Sequence, residues 1–176
     1  QQEIDLIQKY AGHFFVISMP HQGVEYDLHS NKYQQMKFRA MIDAGADIVI
    51  GAHPHVIQEV ERYKDKYIFY SLGNFIFDQV WEPIVRQGLV VDMKLDFVPN
   101  VDDDRYWDML DCSAFQENCL FIAESFELSS KDYIAILNPM VSVNQNFHPV
   151  RANIDLESKI LKRIGWNPVF NQFQSI

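Results

Sequence analysis

Cysteine is nearly absent from this chain: Cys112 and Cys119 are its only two, with six residues between them. No C-x-x-C pair exists, so a dithiol redox site or a zinc knuckle has no basis, and the spacing suits a small disulfide loop or two free thiols. No run of eighteen apolar residues occurs, which excludes a membrane-spanning helix read from sequence. Basic residues are few, 15 Lys and Arg against 24 Asp and Glu, and they form no stripe. A net charge of −9 without a basic footprint excludes nucleic acid as the partner. There is no G-x-G-x-x-G, no P-loop and no G-x-S-x-G, so nucleotide cofactors and serine-hydrolase chemistry lack their sequence marks. Internal repeats, low-complexity tracts and linkers are also missing.

What is present is an ordinary globular composition, 48% apolar and 22% charged over 176 residues, enough for one domain with a real core. The first residue is Gln1 and no signal peptide leads the chain, so it reads as beginning mid-fold, with any targeting segment upstream. Ile4, Ile7 and Tyr10 share one face of a helix over 3–10, with Gly12 past its end. "FFVIS" (14–18) and "DIVIGA" (47–52) are continuous apolar runs, expected as strands covered on both faces. Between them Ser30 or Asn31 caps a helix on which Tyr33, Met36, Ala40 and Met41 recur, and Gly45 ends it. Strand, helix, strand in this order predicts a right-handed βαβ unit with parallel strands.

Downstream the pattern changes. "VIQEVERY" and "YIFYSL" flank "KDK" as a hairpin, and in "GLVVDMKLDFV" (88–98) Leu89, Val91, Met93, Leu95 and Phe97 alternate as the inner face of an antiparallel strand. "YIAILNPMVSV" (133–143) reads as a strand ended or bent near Pro139, and "DLESKILKRIG" (155–165) as a capped helix. Residues 100–125 read as irregular, with a short helical stretch at "DRYWDML" and a solvated "DDD" at 102–104 that lacks the ligand spacing of a calcium loop. The fold class is mixed α/β.

Loops leaving the carboxyl ends of parallel strands meet at one rim, where ligands bind. His21 stands in one such loop, "MPHQGVEY", and His53 and His55 in the other, "GAHPH". Pro54 predicts extended backbone at His53, which puts His53 and His55 on one side. The pair reads either as metal ligands or as two polar residues closing a strand, and His21 at the matching strand end favours the ligands. Gly51 would admit a close approach of backbone to metal or substrate. Gly73 serves a turn and Asn74 caps it. His13, His29 and His148 read as structural or surface residues, and Glu25 and Asp27 as solvated charges beside His21 rather than partners of the imidazoles.

"VISMPHQGVEY", "AGADIVIGAHPHVIQEVE" and "IFYSLGNFIFD", in this order and spacing, resemble the bacterial capsule-synthesis, or poly-γ-glutamate-synthesis, family of CapA-like proteins, within the calcineurin-like metallophosphoesterase superfamily. The resemblance is close over about residues 3–98, so the chain looks like the carboxyl-terminal part, 1–176, of a single such domain. It implies a two-sheet sandwich flanked by helices, with two divalent metal ions (Mn, Fe or Zn) at the strand ends. By the same resemblance His21 and His53 bind one metal and His55 its neighbour, while Gly51, Gly73 and Asn74 shape the site. Gln22 stands where the family usually has tryptophan, and Ala52 separates Gly51 from His53. The aspartate and asparagine–histidine blocks of the superfamily would precede residue 1, so the chain holds only the histidine half of the site. Two readings follow: a metal-dependent phosphoesterase-like hydrolase in capsule synthesis, inactive as this chain alone, or a non-catalytic cell-envelope component aiding synthesis or export of an anionic polymer. Expected partners are the upstream half of the domain or a second copy, with a phosphoester or anionic polymer as substrate. The family implies an extracytoplasmic place in the cell envelope.

Overall fold

A computed structural model describes residues 1–97, 133–170 and 172–174. Among these, three helices, α1 (Gln2–Tyr10), α2 (Lys32–Asp43) and α3 (Ile154–Arg163), accompany two sheets. The first sheet has the order β1 (Ile17–Ser18), β2 (Ile48–Ile50), β4 (Lys66–Phe69), β3 (Val60–Tyr63). In the second, β6 (Tyr133–Gln145) lies centrally, with β5 (Gln87–Phe97) on one side and β7 (His148–Arg151) and β8 (Gln172–Gln174) on the other. The expected mixed α/β sandwich is therefore what forms. The expectations for Cys112, Cys119, Asp102–Asp104 and the stretch around Trp107 fall outside the described residues.

The βαβ expectation holds: β1 pairs with β2 in parallel, Ile17 opposite Ile48. Their common start is set by Asp47, only 1% exposed, whose carboxylate accepts the Val16 N–H at 2.8 Å and the Lys66 ammonium at 3.0 Å. A buried carboxylate is tolerated only with such partners, and here they come from β1 and β4, the strands on either side of β2. Asn31 caps α2 by accepting the Gln34 N–H at 2.8 Å. The inward face of α2 differs from the expected one. Tyr33 and Met36 are 62% and 61% exposed, while Gln34, Phe38, Met41 and Ile42 are buried. The glutamine is drawn inward because its amide serves the Tyr70 carbonyl at 3.0 Å and Gln58 Oε1 at 2.9 Å.

The hairpin also forms, with Lys64 and Asp65 at its tip (φ 49° and 62°). Its strands do not lie over the β1–β2 pair. β4 pairs with β2 in parallel, Ile48 opposite Tyr67, so the hairpin extends the same sheet. The cover comes from elsewhere. On one face α1 and α2 pack Ile7, Phe38, Met41 and Ile42 on Val49, Ile68 and Tyr70. On the other, Leu89, Leu137, Val141, Ile160 and Ile164 from β5, β6 and the α3 segment pack on Ile48, Tyr67 and Phe69. Burial of two apolar faces is the main stabilising term of such a layered fold.

β5 alternates as expected, Leu89 buried and Val91 and Met93 packed on the core, until Leu95 opens to solvent. β6 runs unbroken through Pro139, which lies opposite Val91. The Val141 N–H, two residues on, points away from β5 to Glu157 at 3.0 Å, so position 139 faces the same outer edge. Among the described residues that edge has no strand partner between the stretches paired with β8 and β7, and the missing N–H of proline costs nothing there. Arg151, hydrogen-bonded to Glu157 at 2.8 Å, holds that carboxyl below its ordinary range while it anchors α3 to β6.

β1 is an edge strand. Val16 and Pro20 turn their carbonyls to Asp47 and Ala52, so Ile17 and Met19 turn theirs outward, where no strand lies among the described residues. Ile17 is also exposed, against the expectation of burial on both faces, and beside it Met19 is 73% exposed. An open groove of about 400 Å³ runs here, lined by Leu6, Tyr10, Phe14, Ile17 and Met19.

Gly51 follows β2 where three elements meet. A Cβ there would lie 2.3 Å from the Tyr70 carbonyl oxygen and 2.6 Å from the Phe38 ring. On its Cβ side the close approach is thus to Tyr70, just past β4, and to Phe38 of α2. Gly51→Ala is expected to lower the urea midpoint at unchanged slope, by an amount equivalent to about 2–3 kcal/mol. Wild-type stability in this variant would contradict the packing described.

Candidate functional site

The β1–β2 pairing continues past the strands themselves. Ala52 N–H bonds Pro20 at 3.0 Å, Gln22 N–H bonds Ala52 at 2.9 Å, and His21 lies opposite Ala52. The two loops thus leave the sheet side by side. The His21 and His53 rings lie 5.0 Å apart between centroids, and those of His53 and His55 6.2 Å apart. All three sequence-predicted imidazoles therefore stand along one rim.

The local backbone is not the expected one. His53 has φ 106° and His55 φ 60°, in the left-handed region rather than extended. Pro54, between them, is buried against Gly23, whose Cβ would meet its ring at 2.6 Å, and its carbonyl accepts the Tyr26 N–H at 2.8 Å. The loop is so pinned at Pro54 that its neighbours take the unfavourable dihedrals. Each such residue costs on the order of 1–3 kcal/mol, and strain of this kind gathers at functional sites.

A hydrogen-bond chain backs His55. Its Nδ1 lies 2.9 Å from Asn74 Oδ1. Asn74 Nδ2 donates to the Val85 carbonyl at 2.9 Å and to Gln79 Oε1 at 3.2 Å, and Gln79 Nε2 donates to the Tyr26 hydroxyl oxygen at 2.9 Å. Phe77 lies 5.0 Å from the His55 ring, and Tyr26 stacks on it at 6.0 Å while meeting Trp81 edge-on at 5.9 Å. Asn74 is located by Gly73 (φ 70°), which bridges to Gly88 where the two sheets join. The sequence expectation of a capping Asn74 missed this contact. Tyr26 and Gln79 were missed outright, since only folding brings residues 26, 55, 74 and 79 together.

The remaining residues keep ordinary roles. Asp27 accepts the His29 N–H at 3.0 Å, and Glu25 is exposed. His29 is exposed beside Glu59, and His148 is exposed with Nδ1 2.8 Å from the Asn146 carbonyl. A second cavity, about 710 Å³, opens between β6 and α3, lined by Leu137, Pro139, Ile154, Leu161, Trp166 and Pro168. It holds no imidazole, and its one carboxylate, Glu157, is already bonded, so the histidine rim is the better candidate site.

Tested against a metal ion, the rim fits in chemistry and falls short in number. Neutral imidazoles are good ligands for divalent metals. Among the described residues, however, no three His, Cys, Asp or Glu side chains are grouped to hold one ion.

Residues 2–79 match the family described as "Bacterial capsule synthesis protein PGA_cap". Over 75 residues the chain is 54% identical to the PGA biosynthesis protein CapA of Bacillus subtilis (strain 168), a match covering 43% of this chain and 20% of that protein. The capsule biosynthesis protein CapA of Bacillus anthracis is 53% identical over 75 residues, 43% of this chain and 18% of the relative. An uncharacterized protein of Sinorhizobium fredii is 33% identical over 97 residues, 55% of this chain and 20% of the relative. The chain spans about a fifth of the length of these curated relatives. His21, His53, His55, Gly73 and Asn74 all lie within the family match.

The strain at His53 is testable without any ligand. His53→Gly, which frees φ, is expected to raise stability by about 1 kcal/mol, whereas His53→Ala, which keeps the Cβ, brings no such gain. Equal urea midpoints for the two variants would show that φ 106° is not strained.

Proposed function

We propose, from the premise that residues 2–79 belong to the CapA-like capsule-synthesis family, that this chain contributes the imidazole side of a divalent-metal centre in a capsule or poly-γ-glutamate biosynthesis protein. The observation that carries the reading is the meeting of His21 and His53, 5.0 Å apart, on adjacent loops at the carboxyl ends of two parallel strands. The donors that complete the centre come from polypeptide outside this chain, in keeping with relatives about five times as long as the matched stretch. The substrate class is a phosphoester or an anionic polymer at the cell envelope, on its extracytoplasmic side. A polymer of that charge meets a chain of net charge −9, so cations are needed between them.

In the same reading the open edge of β1 receives the rest of the domain. Ile17 and Met19 offer backbone groups and apolar side chains to a further strand, and bare edges of this kind template pairing. A second copy of the chain is the alternative occupant.

A second reading, a non-catalytic envelope component, draws on the incomplete donor set among the described residues. Metal analysis of the longer protein that contains this segment separates the two. Stoichiometric Mn, Fe or Zn, lost in His21→Ala and His53→Ala, is expected, together with hydrolysis of a generic phosphodiester. A metal-free longer protein with no turnover would overturn the metal reading in favour of the second. The 176-residue chain alone is expected to show no metal-dependent phosphodiester hydrolysis. By light scattering at micromolar concentration it is expected to self-associate through the β1 edge. A clean monomer that binds no hydrophobic dye would refute the open-edge account.

A further inference from the structure

We infer that Asn74 is a positioning residue that holds His55 in the tautomer with hydrogen on Nδ1, leaving Nε2 as a bare lone pair at the rim. The constraint begins at a group with only one hydrogen-bonding role. A backbone carbonyl accepts and never donates, so the Val85 carbonyl, 2.9 Å from the Asn74 side chain, must face its NH2 group. Asn74 is 6% exposed and its backbone N–H is tied to the Gln87 carbonyl at 3.1 Å, which holds the residue in place, while a flipped amide would set its oxygen against the Val85 carbonyl. Its Oδ1 therefore faces His55 Nδ1 at 2.9 Å. Two lone pairs cannot bond, so the Nδ1 carries the hydrogen. A neutral imidazole has one N–H, and Nε2 is left bare.

The polarity runs on through the chain. Gln79 turns its oxygen to Asn74 and its NH2 to Tyr26, so the Tyr26 hydroxyl, already accepting, keeps its own hydrogen for another acceptor. The ring of His55 is held from the sides by Phe77 and Tyr26. Orientation and tautomer are thus set together, which is how a partner on the far nitrogen prepares a ligating imidazole. The functional meaning rests on the metal reading proposed above. The tautomer itself does not.

Long-range proton–nitrogen correlation spectra of the ¹⁵N-labelled 176-residue chain, with chelator and at a pH where imidazoles are neutral, read the tautomer directly. His55 is expected to show a protonated-type Nδ1 and an unprotonated-type Nε2, the reverse of the form free histidine favours. Asn74→Leu, which removes the acceptor, is expected to return His55 to the Nε2–H form. Asn74→Asp, which keeps an acceptor, and Gln79→Leu, which leaves the Val85 bond intact, are expected to preserve Nδ1–H. An Nε2–H form in the wild type overturns the inference, as does an Nδ1–H form persisting in folded Asn74→Leu. Should the leucine variant fail to fold, the wild-type spectrum decides alone. Added to the longer protein that contains this segment, Zn²⁺ then tests the separate premise: a shift at His55 Nε2, weakened about tenfold or more in Asn74→Leu, supports both. No response there at His21, His53 or His55 would count against the metal reading while the tautomer stands.

Discussion

Strands that run side by side in one direction must start together if their loops are to leave together, and Asp47 sets that start. Its buried carboxylate takes the backbone N–H that leads into β1 and the ammonium that opens β4, while its own residue leads into β2. Three parallel strands are thereby registered at their amino ends. Parallel pairing offers no tight turn to do this, unlike a hairpin, so a side-chain clamp supplies it. At the opposite ends the consequence is that His21 lies opposite Ala52, next to His53. A slip of one residue in β1 would turn His21 to the other face of the sheet and dissolve the rim.

The rim is built from strained backbone over a rigid floor. Beneath the loop that carries His21, Gln34 and Gln58 link α2, the Tyr70 carbonyl and the carbonyls of Asp27 and His29 in one buried amide network. Networks of this kind specify a single arrangement, because a displaced amide would be left unpaired away from water. Pro54 sits against that floor, and its neighbours His53 and His55 take up the unfavourable dihedrals. On the other side Gly73 and Gly88 bring the two sheets into backbone contact, and Asn74 is delivered from that junction to His55. The site thus depends on both layers of the sandwich.

Burial explains where the fold is closed and where it is open. Both faces of β2 and β4 are covered, by helices on one side and by β5, β6 and α3 on the other. β1 is different, since its outer edge and the groove beside α1 face solvent. The curated relatives that 75 residues of this chain match are about five times longer than the matched stretch.

Local signals in the sequence were enough for the elements and for the candidate histidines. The helices over 3–10, 31–44 and 155–165, the parallel unit, the hairpin and the alternation of β5 all follow from caps, periodicity and turn residues, which act over a few positions. Placing His21 beside His53 required only that two adjacent parallel strands end together. The inward turn of Gln34, the passage of β6 through Pro139 and the membership of β4 in the first sheet were not legible, because each depends on a partner distant in sequence. Pairing of β4 with β2 rather than over it is a choice of tertiary packing that periodicity does not encode. The positive φ of His53 and His55 and the link from Asn74 to His55 were decided at the same level. Sequence by itself marked His21, His53 and His55 as candidates; only the folded sandwich decided how they are aimed, because orientation is imposed by buried carbonyls such as Val85 that no motif records.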